Sequence, residues 1–226
     1  GSPVVNLLLV AVIYLAIAGV VSLLFGSFKP LIGVFAASFG LAAVSIRGGT
    51  TTAMLRGVGD GGVYLTFLIE AILLAALVAI ATVATSFLSR KPPIEQAREE
   101  ETEAATLNTR LLSIGIQTGV TIIVAIILAQ SDTKGQALAA AGIAGFAGAM
   151  AADNAMPVGL TPLAILAPFV TGLIGYAWAI ASPGGGVDPA NNLANLIPLD
   201  YASFGVAGAM LGHWISQQWR EEAEEE

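Results

Sequence analysis

The sequence predicts an all-α protein, a polytopic membrane bundle of about seven transmembrane helices. Hydrophobic residues make up 56% of the 226-residue chain and charged residues only 11%, and the mean hydropathy is +0.81. A soluble domain has about a quarter of its residues charged. The charges here are also segregated, which leaves long uncharged runs. Such runs match a hydrocarbon core of roughly 30 Å at about 1.5 Å per helical residue.

Three runs predict a first transmembrane unit, residues 3–89. The first helix covers residues 4–24, and Pro30 is placed to open the second, which is short and covers residues 31–46. Residues 47–52 contain a Gly pair and three threonines, a composition that breaks a helix. The third helix, residues 62–87, is long.

A charged linker and a second unit follow. Residues 90–110 are rich in Glu and Ala, which favour a cytoplasmic helical linker. Four helices are predicted in residues 111–219, namely 111–128, a short Ala- and Gly-rich run 136–152, 158–181 and 199–219. Asp153 and Asn154 are expected to interrupt the second of these, and Pro162 and Pro168 to kink the third. Residues 220–226 form an acidic tail.

The two units share an order of helix lengths. Each has a long helix, a short small-residue helix with a polar break and a further long helix, and residues 63–66 (VYLT) resemble residues 158–161 (VGLT). Because three spans is an odd number, two such units in sequence would be inverted relative to each other. The pattern favours an inverted repeat of three plus three helices followed by one more. Chance recurrence of helix lengths is the alternative.

The basic residues predict the orientation of a multi-pass protein in the cell membrane. The side with the excess of Lys and Arg faces the cytoplasm. Seven spans place the N-terminus outside and the linker and C-terminus in the cytoplasm. The cytoplasmic group is Lys29, Arg90, Lys91, Arg98, Arg110 and Arg220, and the outer group is Arg47, Arg56 and Lys134.

Glu70 is the first candidate for an ion-binding residue. It lies roughly 10 Å inside the third run, where an ionised acid facing lipid would cost at least several kcal/mol. It must therefore face the bundle, face water or be protonated. We expect a cation or proton site, with Arg47 or Arg56 as counter-charge and Thr66, one turn earlier, as a hydrogen-bond donor. A fixed structural partner for a nearby base is the alternative.

Further candidates come from the helix breaks and from polar residues inside later runs. Asp153 and Asn154 occupy a position corresponding to residues 47–52, and irregular backbone at matching places offers free N–H and C=O groups to an ion. Ordinary helix ends are the alternative. Gln117 lies within the fourth run, where a buried Gln joins helices. His213 lies near the cytoplasmic end of the seventh run beside Trp214, as an interfacial residue or as a proton relay. Both are kept as candidate ion-binding residues. Asp153 and Asp200 are expected at the interfaces, in water.

Small residues at three- or four-residue spacing predict close helix contacts, which drive association where no hydrophobic effect operates. They are Gly33, Ala37, Gly40, Ala141, Gly145, Ala149, Gly208 and Gly212.

One short stretch invites comparison with a known family. Gly48, Gly49 and Thr50, followed by Met54 and Gly57, resemble the glycine break of the trimeric intracellular cation channels, which have a three-plus-three-plus-one helix plan. The second half of the chain has no matching glycine-rich break, so no property of that family is carried over.

The sequence disfavours several classes of protein and several kinds of site. Without cysteine there is no disulfide, thiolate nucleophile or zinc–thiolate site. The chain lacks a Gly-x-Ser-x-Gly elbow and a lysine in the last span for retinal. We therefore expect no enzyme, cofactor or metal. A formal net charge of −7 argues against nucleic acid as a partner and suits a halophile-like environment of concentrated salt.

The sequence thus predicts a small transporter or channel for a cation or a proton. A non-catalytic scaffold subunit of a membrane complex is the alternative, and an intramembrane enzyme is a second one. The expected partners are the lipid bilayer, a cation or proton, and a second copy or another membrane subunit.

Overall fold

The computed structural model describes residues 3–29, 31–47, 49–51, 53, 60–88, 107–131, 133–157, 162–182 and 191–225, and all regular secondary structure in these ranges is helical. A 3₁₀ turn (Asn192–Asn195), one helical turn (Pro198–Asp200) and a π-helical turn (Tyr201–Gly205) lead directly into the last helix. The long helices are α1 (Pro3–Phe25), α2 (Ile32–Arg47), α3 (Asp60–Leu88), α4 (Leu107–Leu128), α5 (Lys134–Ala155), α6 (Pro162–Ala181) and α7 (Val206–Glu225).

The lengths and compositions of these helices confirm the predicted class of helical membrane protein. Within the described ranges, α1 and α3 to α6 are five helices long and apolar enough to cross a bilayer. α2 is apolar but has only 16 residues, and α7 ends in a charged segment. Large apolar side chains such as Leu8, Val12 and Leu23 are exposed on the outer face of α1, as a lipid-facing surface requires. The predicted number of seven spans is not established by these criteria.

One predicted boundary is wrong. α5 does not break at Asp153 and Asn154 but continues to Ala155, and the last helix continues through the first part of the acidic tail to Glu225. Polar residues break a helix when their side chains compete for its backbone groups. Here Asp153, Asn154 and Arg220 bond across to a neighbouring helix instead. The break after Arg47 is real, because Gly49 adopts a positive φ of 83°.

Other predictions fall partly outside the described ranges. α4 begins at Leu107, so only the last four residues of the predicted linker are described, and they are helical. Residues 89–106 and 158–161 lie outside the described residues, and with them the second member of the predicted repeat pair.

The helices pack in a regular order. α1 contacts α2 and α3, α4 contacts α5 and α6, and α3 contacts α6 across the bundle. α7 and its π-helical turn pack against α2 and most extensively against α5. The buried core is formed largely by Ala, Leu and aromatic side chains, including Phe67, Tyr176 and Tyr201, whose rings contact one another in series.

α5 and α7 run parallel and approach to backbone contact. A Cβ atom added to Gly145 would overlap the carbonyl oxygen of Gly205, and one added to Gly208 would overlap Gly142. These contacts confirm the predicted packing role of the small residues, whereas a Cβ atom on Gly40 would meet only ordinary van der Waals contact. The same close fit occurs where Gly212 meets Phe146 and where Gly33 meets Ala18.

Candidate ion-binding sites

A buried ion pair lies where α5 begins. The Lys134 ammonium is 2.7 Å from Oδ1 of Asp200, whose side chain is only 1% exposed. Ser45, in the last turn of α2, donates its hydroxyl to the same oxygen at 2.6 Å, and the Ile197 N–H donates to Oδ2 at 3.0 Å. The expectation that Asp200 lies in water is therefore wrong, because three protein donors replace the solvent around its carboxylate.

The local sequence explains how Asp200 reaches this position. Pro198 opens the helical turn, and Asp200 is its third residue. A carboxylate there can turn back to the N–H of the residue three places earlier, as in a capping box. Tyr176 and Tyr201 fix the preceding segment by donating their hydroxyls to the carbonyl oxygens of Leu196 and Leu193.

Three asparagines complete this end of the bundle, in the segment between the predicted helices 158–181 and 199–219, to which the sequence analysis gave no role. Asn191 donates to the carbonyl oxygen of Gly175 on α6. Asn192 and Asn195 donate to the carbonyl oxygens of Ile126 and Ala129, where the last turn of α4 leaves acceptors free. The side chains of these asparagines tie the segment to α4 and α6. Their clustering just before a helix was the available signal.

Glu70 lies on the side of α3 that faces the bundle. Phe67, Ala71 and Leu74, its neighbours on that side, are buried, while Glu70 itself is half-buried. Its carboxylate forms no hydrogen bond within the described part of the chain. The Lys134 ammonium is close enough to act on it electrostatically.

The partners predicted for Glu70 lie elsewhere. Thr66 donates its hydroxyl to the carbonyl oxygen of Gly62 at 2.9 Å, which is a bond within its own helix. Arg47 has an exposed side chain at the end of α2, and Arg56 lies outside the described residues. Among the described residues, the base that acts electrostatically on Glu70 is Lys134, which the sequence analysis placed in the same group as Arg47 and Arg56 without pairing it.

A second charged cluster, the His213 cluster, lies at the opposite end of α5 and consists of Asp153, His213 and Arg220. Nδ1 of His213 is 3.2 Å from Oδ1 of Asp153. The Arg220 guanidinium is 2.8 Å from Oδ2 and donates to the Asp153 carbonyl oxygen at 2.6 Å. Ser216 donates to the side-chain oxygen of Asn154 at 3.0 Å. Three predicted candidates, Asp153, Asn154 and His213, are therefore at one site.

Asp153 is only 4% exposed, so the expectation that it is solvated is also wrong. His213 and Arg220 approach both of its carboxylate oxygens. Since α5 and α7 are parallel, residues near the end of one helix meet residues near the end of the other.

Gln117 joins the same region from α4. Its side-chain amide donates to the carbonyl oxygen of Ala164 at 2.8 Å. That carbonyl lacks its usual partner four residues later, because Pro168 stands there inside α6 and has no N–H. Gln117 therefore fills a gap in the hydrogen bonding of α6.

A small cavity borders the His213 cluster, with room for about one water molecule. Nε2 of His213 is buried and has no hydrogen-bond partner among the described residues. The cavity is lined by Ser113, Gln117, Ala149, Ala152, Asp153, Ala164 and His213.

The comparisons with known proteins leave this geometry as the basis for a functional argument. No family model matches the chain, and neither a curated protein nor a solved structure matches it.

Proposed function

We propose that this membrane protein crosses the bilayer with seven helices and binds and moves a cation or a proton. The observation that carries the proposal is the charge balance around Lys134. Asp200 pairs with this ammonium group at 2.7 Å, and a second carboxylate, Glu70, lies within its electrostatic influence. With both acids ionised, this group of three side chains has one negative charge in excess.

An excess charge of this kind needs a counter-charge. Removing an ion from water costs several kcal/mol in proteins unless an opposite charge compensates it. Lys134 already compensates Asp200 at 2.7 Å. Glu70 is then the group that takes a proton or a cation, because its carboxylate has no hydrogen-bond donor in the described part of the chain.

The surroundings of Glu70 suit a hard cation or a proton. Carboxylate and hydroxyl oxygens are the ligands of such ions, whereas imidazole and thiolate ligands favour transition metals. The Tyr176 ring lies within electrostatic range of both Glu70 and Asp200. Its hydroxyl donates to the carbonyl oxygen of Leu196 at 2.7 Å.

The packing of the helices supports the inverted-repeat part of the proposal. α1 contacts α2 and α3, just as α4 contacts α5 and α6, and both α2 and α5 contact the segment of the seventh helix. Equivalent contacts in two successive units of three helices are what an inverted repeat requires. In the proposed arrangement the N-terminus is outside, and the linker and C-terminus are cytoplasmic.

Ion flux into liposomes tests the transport proposal directly. The purified protein is reconstituted, and influx of H⁺, Na⁺ and K⁺ is measured in separate experiments. We expect flux of one ion above that of protein-free liposomes, and loss of that flux in Glu70→Gln. Glu222→Gln removes an exposed acid of α7 and is expected to leave the flux unchanged. Background-level flux of all three ions for the unmodified protein contradicts the proposal.

A non-catalytic scaffold subunit remains the second candidate. In its favour, Asp200 accepts all three of its side-chain hydrogen bonds from protein groups, as a purely structural ion pair does. Against it, Gly145 and Gly208 are used in contacts within the chain and are not free for a partner. Under the scaffold interpretation, Glu70→Leu lowers thermal stability, because the acid serves to hold Lys134. Under the transport proposal the variant keeps its stability and loses flux.

A further inference from the structure

We infer that the ion bound at Glu70 is a proton and not a metal cation. This inference rests on the proposed function and narrows it to one class of substrate. It follows from the oxygen atoms around Glu70, from the charges that act on this acid and from the exposure of its carboxylate.

The side chains around Glu70 offer few oxygen atoms to a metal ion. On the bundle-facing side of α3, its buried neighbours Phe67, Ala71 and Leu74 have no side-chain oxygen. Thr66, one turn earlier, has an exposed side chain and donates its hydroxyl within its own helix. A metal cation leaves water only where several oxygen ligands replace its hydration shell. A proton needs a single carboxylate oxygen.

Asp200 is not available as a second ligand. Its Oδ1 atom accepts from the Lys134 ammonium at 2.7 Å and from the Ser45 hydroxyl at 2.6 Å. Its Oδ2 atom accepts from the Ile197 N–H at 3.0 Å. A metal ion shared with Glu70 would have to displace the ammonium, which exchanges one buried cation for another. A proton bound to Glu70 leaves the ion pair and its hydrogen bonds intact.

The nearby positive charge also favours a proton. Lys134 acts on Glu70 electrostatically, and two positive charges repel each other more strongly where water is scarce. A metal ion at Glu70 would keep its full charge close to this ammonium. A bound proton instead converts the carboxylate into a neutral carboxyl, which removes the cost of holding a charge in apolar surroundings.

The elements packed against α3 bring few other charges to this region. α3 packs against α1, α2, α6 and the turns of residues 198–205. α1 and α6 contain no charged residue, Arg47 of α2 has an exposed side chain, and the turns contribute only Asp200. Among the described residues, the charges that face Glu70 are therefore those of the Lys134–Asp200 pair. The titratable tyrosines of these elements and of α3 are all buried, namely Tyr14, Tyr64, Tyr176 and Tyr201.

The carboxylate of Glu70 is open enough to exchange a proton. Glu70 is half-buried, whereas the Asp200 side chain is only 1% exposed. Uptake from a hydronium ion forms an O–H bond on one carboxylate oxygen of Glu70 and leaves a water molecule. Release to water breaks the same bond and restores the carboxylate.

Proton flux in the absence of metal cations tests the inference. The protein is reconstituted in liposomes in which N-methyl-D-glucamine replaces Na⁺ and K⁺. Thiocyanate is the permeant counter-ion, and an enclosed pH-sensitive dye reports proton influx. We expect the same proton flux with and without the metal cations. Glu70→Gln should reduce it to the level of protein-free liposomes, and Glu70→Asp, which keeps an ionisable carboxyl, should retain part of it. Glu222→Gln, which removes an exposed acid, is the control and keeps the full flux.

Infrared spectroscopy detects proton binding independently of flux. The C=O stretching band of a protonated carboxyl is compared between the unmodified protein and Glu70→Gln from about pH 8 to about pH 5, above the ordinary range of glutamate. We expect a carboxyl band that Glu70→Gln lacks and that neither Na⁺ nor K⁺ alters. Circular dichroism reports folding of each protein. If Glu70→Gln does not fold, a shift of the band in Glu70→Asp makes the same assignment.

Three results overturn the inference: flux of Na⁺ or K⁺ that depends on Glu70, no carboxyl band from Glu70 in the folded protein over this pH range, or a band that Na⁺ or K⁺ removes. The first of these leaves the transport proposal standing. Background-level flux of every ion contradicts the transport proposal instead, and the infrared band then still decides whether Glu70 binds a proton.

Discussion

At the scale of single residues, polar side chains inside the bundle supply hydrogen bonds that the backbone lacks at specific positions. Pro168 deprives the Ala164 carbonyl of its helical partner, and Gln117 of another helix supplies a donor at 2.8 Å. Sequence analysis identified Gln117 as a helix-joining residue and Pro168 as a kink. It could not pair them, because 51 positions separate two residues that only the packing of α4 on α6 brings together.

This pairing predicts a coupling between two substitutions. Gln117→Leu removes the donor that Gln117 gives to the part-buried Ala164 carbonyl oxygen, at an expected loss of about 1–3 kcal/mol in the free energy of unfolding. Pro168→Ala restores an N–H to α6, so the same Gln117→Leu change costs less in that background. Reversible unfolding in detergent is measured for the unmodified protein, the two single variants and the double variant. This double-mutant cycle gives the coupling energy between the two positions. Equal losses in both backgrounds would show that the two residues act separately.

At the scale of elements, charged contacts join the parallel helices α5 and α7 at both ends, and the charge that α5 supplies is positive at one end and negative at the other. At one end α5 supplies the cation, Lys134, to Asp200. At the other it supplies the anion, Asp153, to His213 and Arg220. Sliding one helix along the other would separate both sets at once, so the charges define a single register. The sequence predicted that the small residues of these helices make close contacts, but it did not pair α5 with α7, and it assigned Asp153 to a break and Asp200 to the solvent.

The close approach of α5 and α7 predicts a strong position dependence for Gly→Ala substitutions. Gly145→Ala places a Cβ atom against the backbone oxygen of Gly205, and overpacking of this kind costs about 1–3 kcal/mol. Gly119→Ala on α4 is the matched control, since nothing lies within 4 Å of its Cβ position. It should stabilise the protein by about 0.5–1 kcal/mol through helix propensity. Thermal unfolding by circular dichroism distinguishes the two, and equal midpoints contradict the predicted contact.

At the scale of the whole molecule, the composition was sufficient for the fold class. In a bilayer every backbone group must be satisfied within the chain, so long apolar runs have little choice but to form helices. The ion pairs were not predictable in the same way. Ser45, Lys134 and Asp200 come from three distant segments, and their meeting depends on how the asparagine-containing turn before α7 is tied to α4 and α6.

The proposed topology predicts the accessibility of introduced thiols. Thr133 and Glu222 are exposed at opposite ends of the bundle, and the chain has no cysteine of its own. In intact cells a membrane-impermeant maleimide should label Thr133→Cys, and label Glu222→Cys only after permeabilisation. Labelling of both variants in intact cells contradicts the proposed arrangement, and labelling of Glu222→Cys alone reverses it.

The charged contacts at both ends of the α5–α7 pair have a consequence for how the helices can move. Separating these helices would leave buried charges at both ends without partners and would open the glycine contact between the helices. The pair therefore behaves as one rigid unit. A rocking or gating motion that passes an ion would keep α5 and α7 together and move the other helices relative to this rigid unit. The distance between two spin labels should then change when one label is on α5 or α7 and the other on a surrounding helix. It should stay constant when the two labels are on α5 and α7.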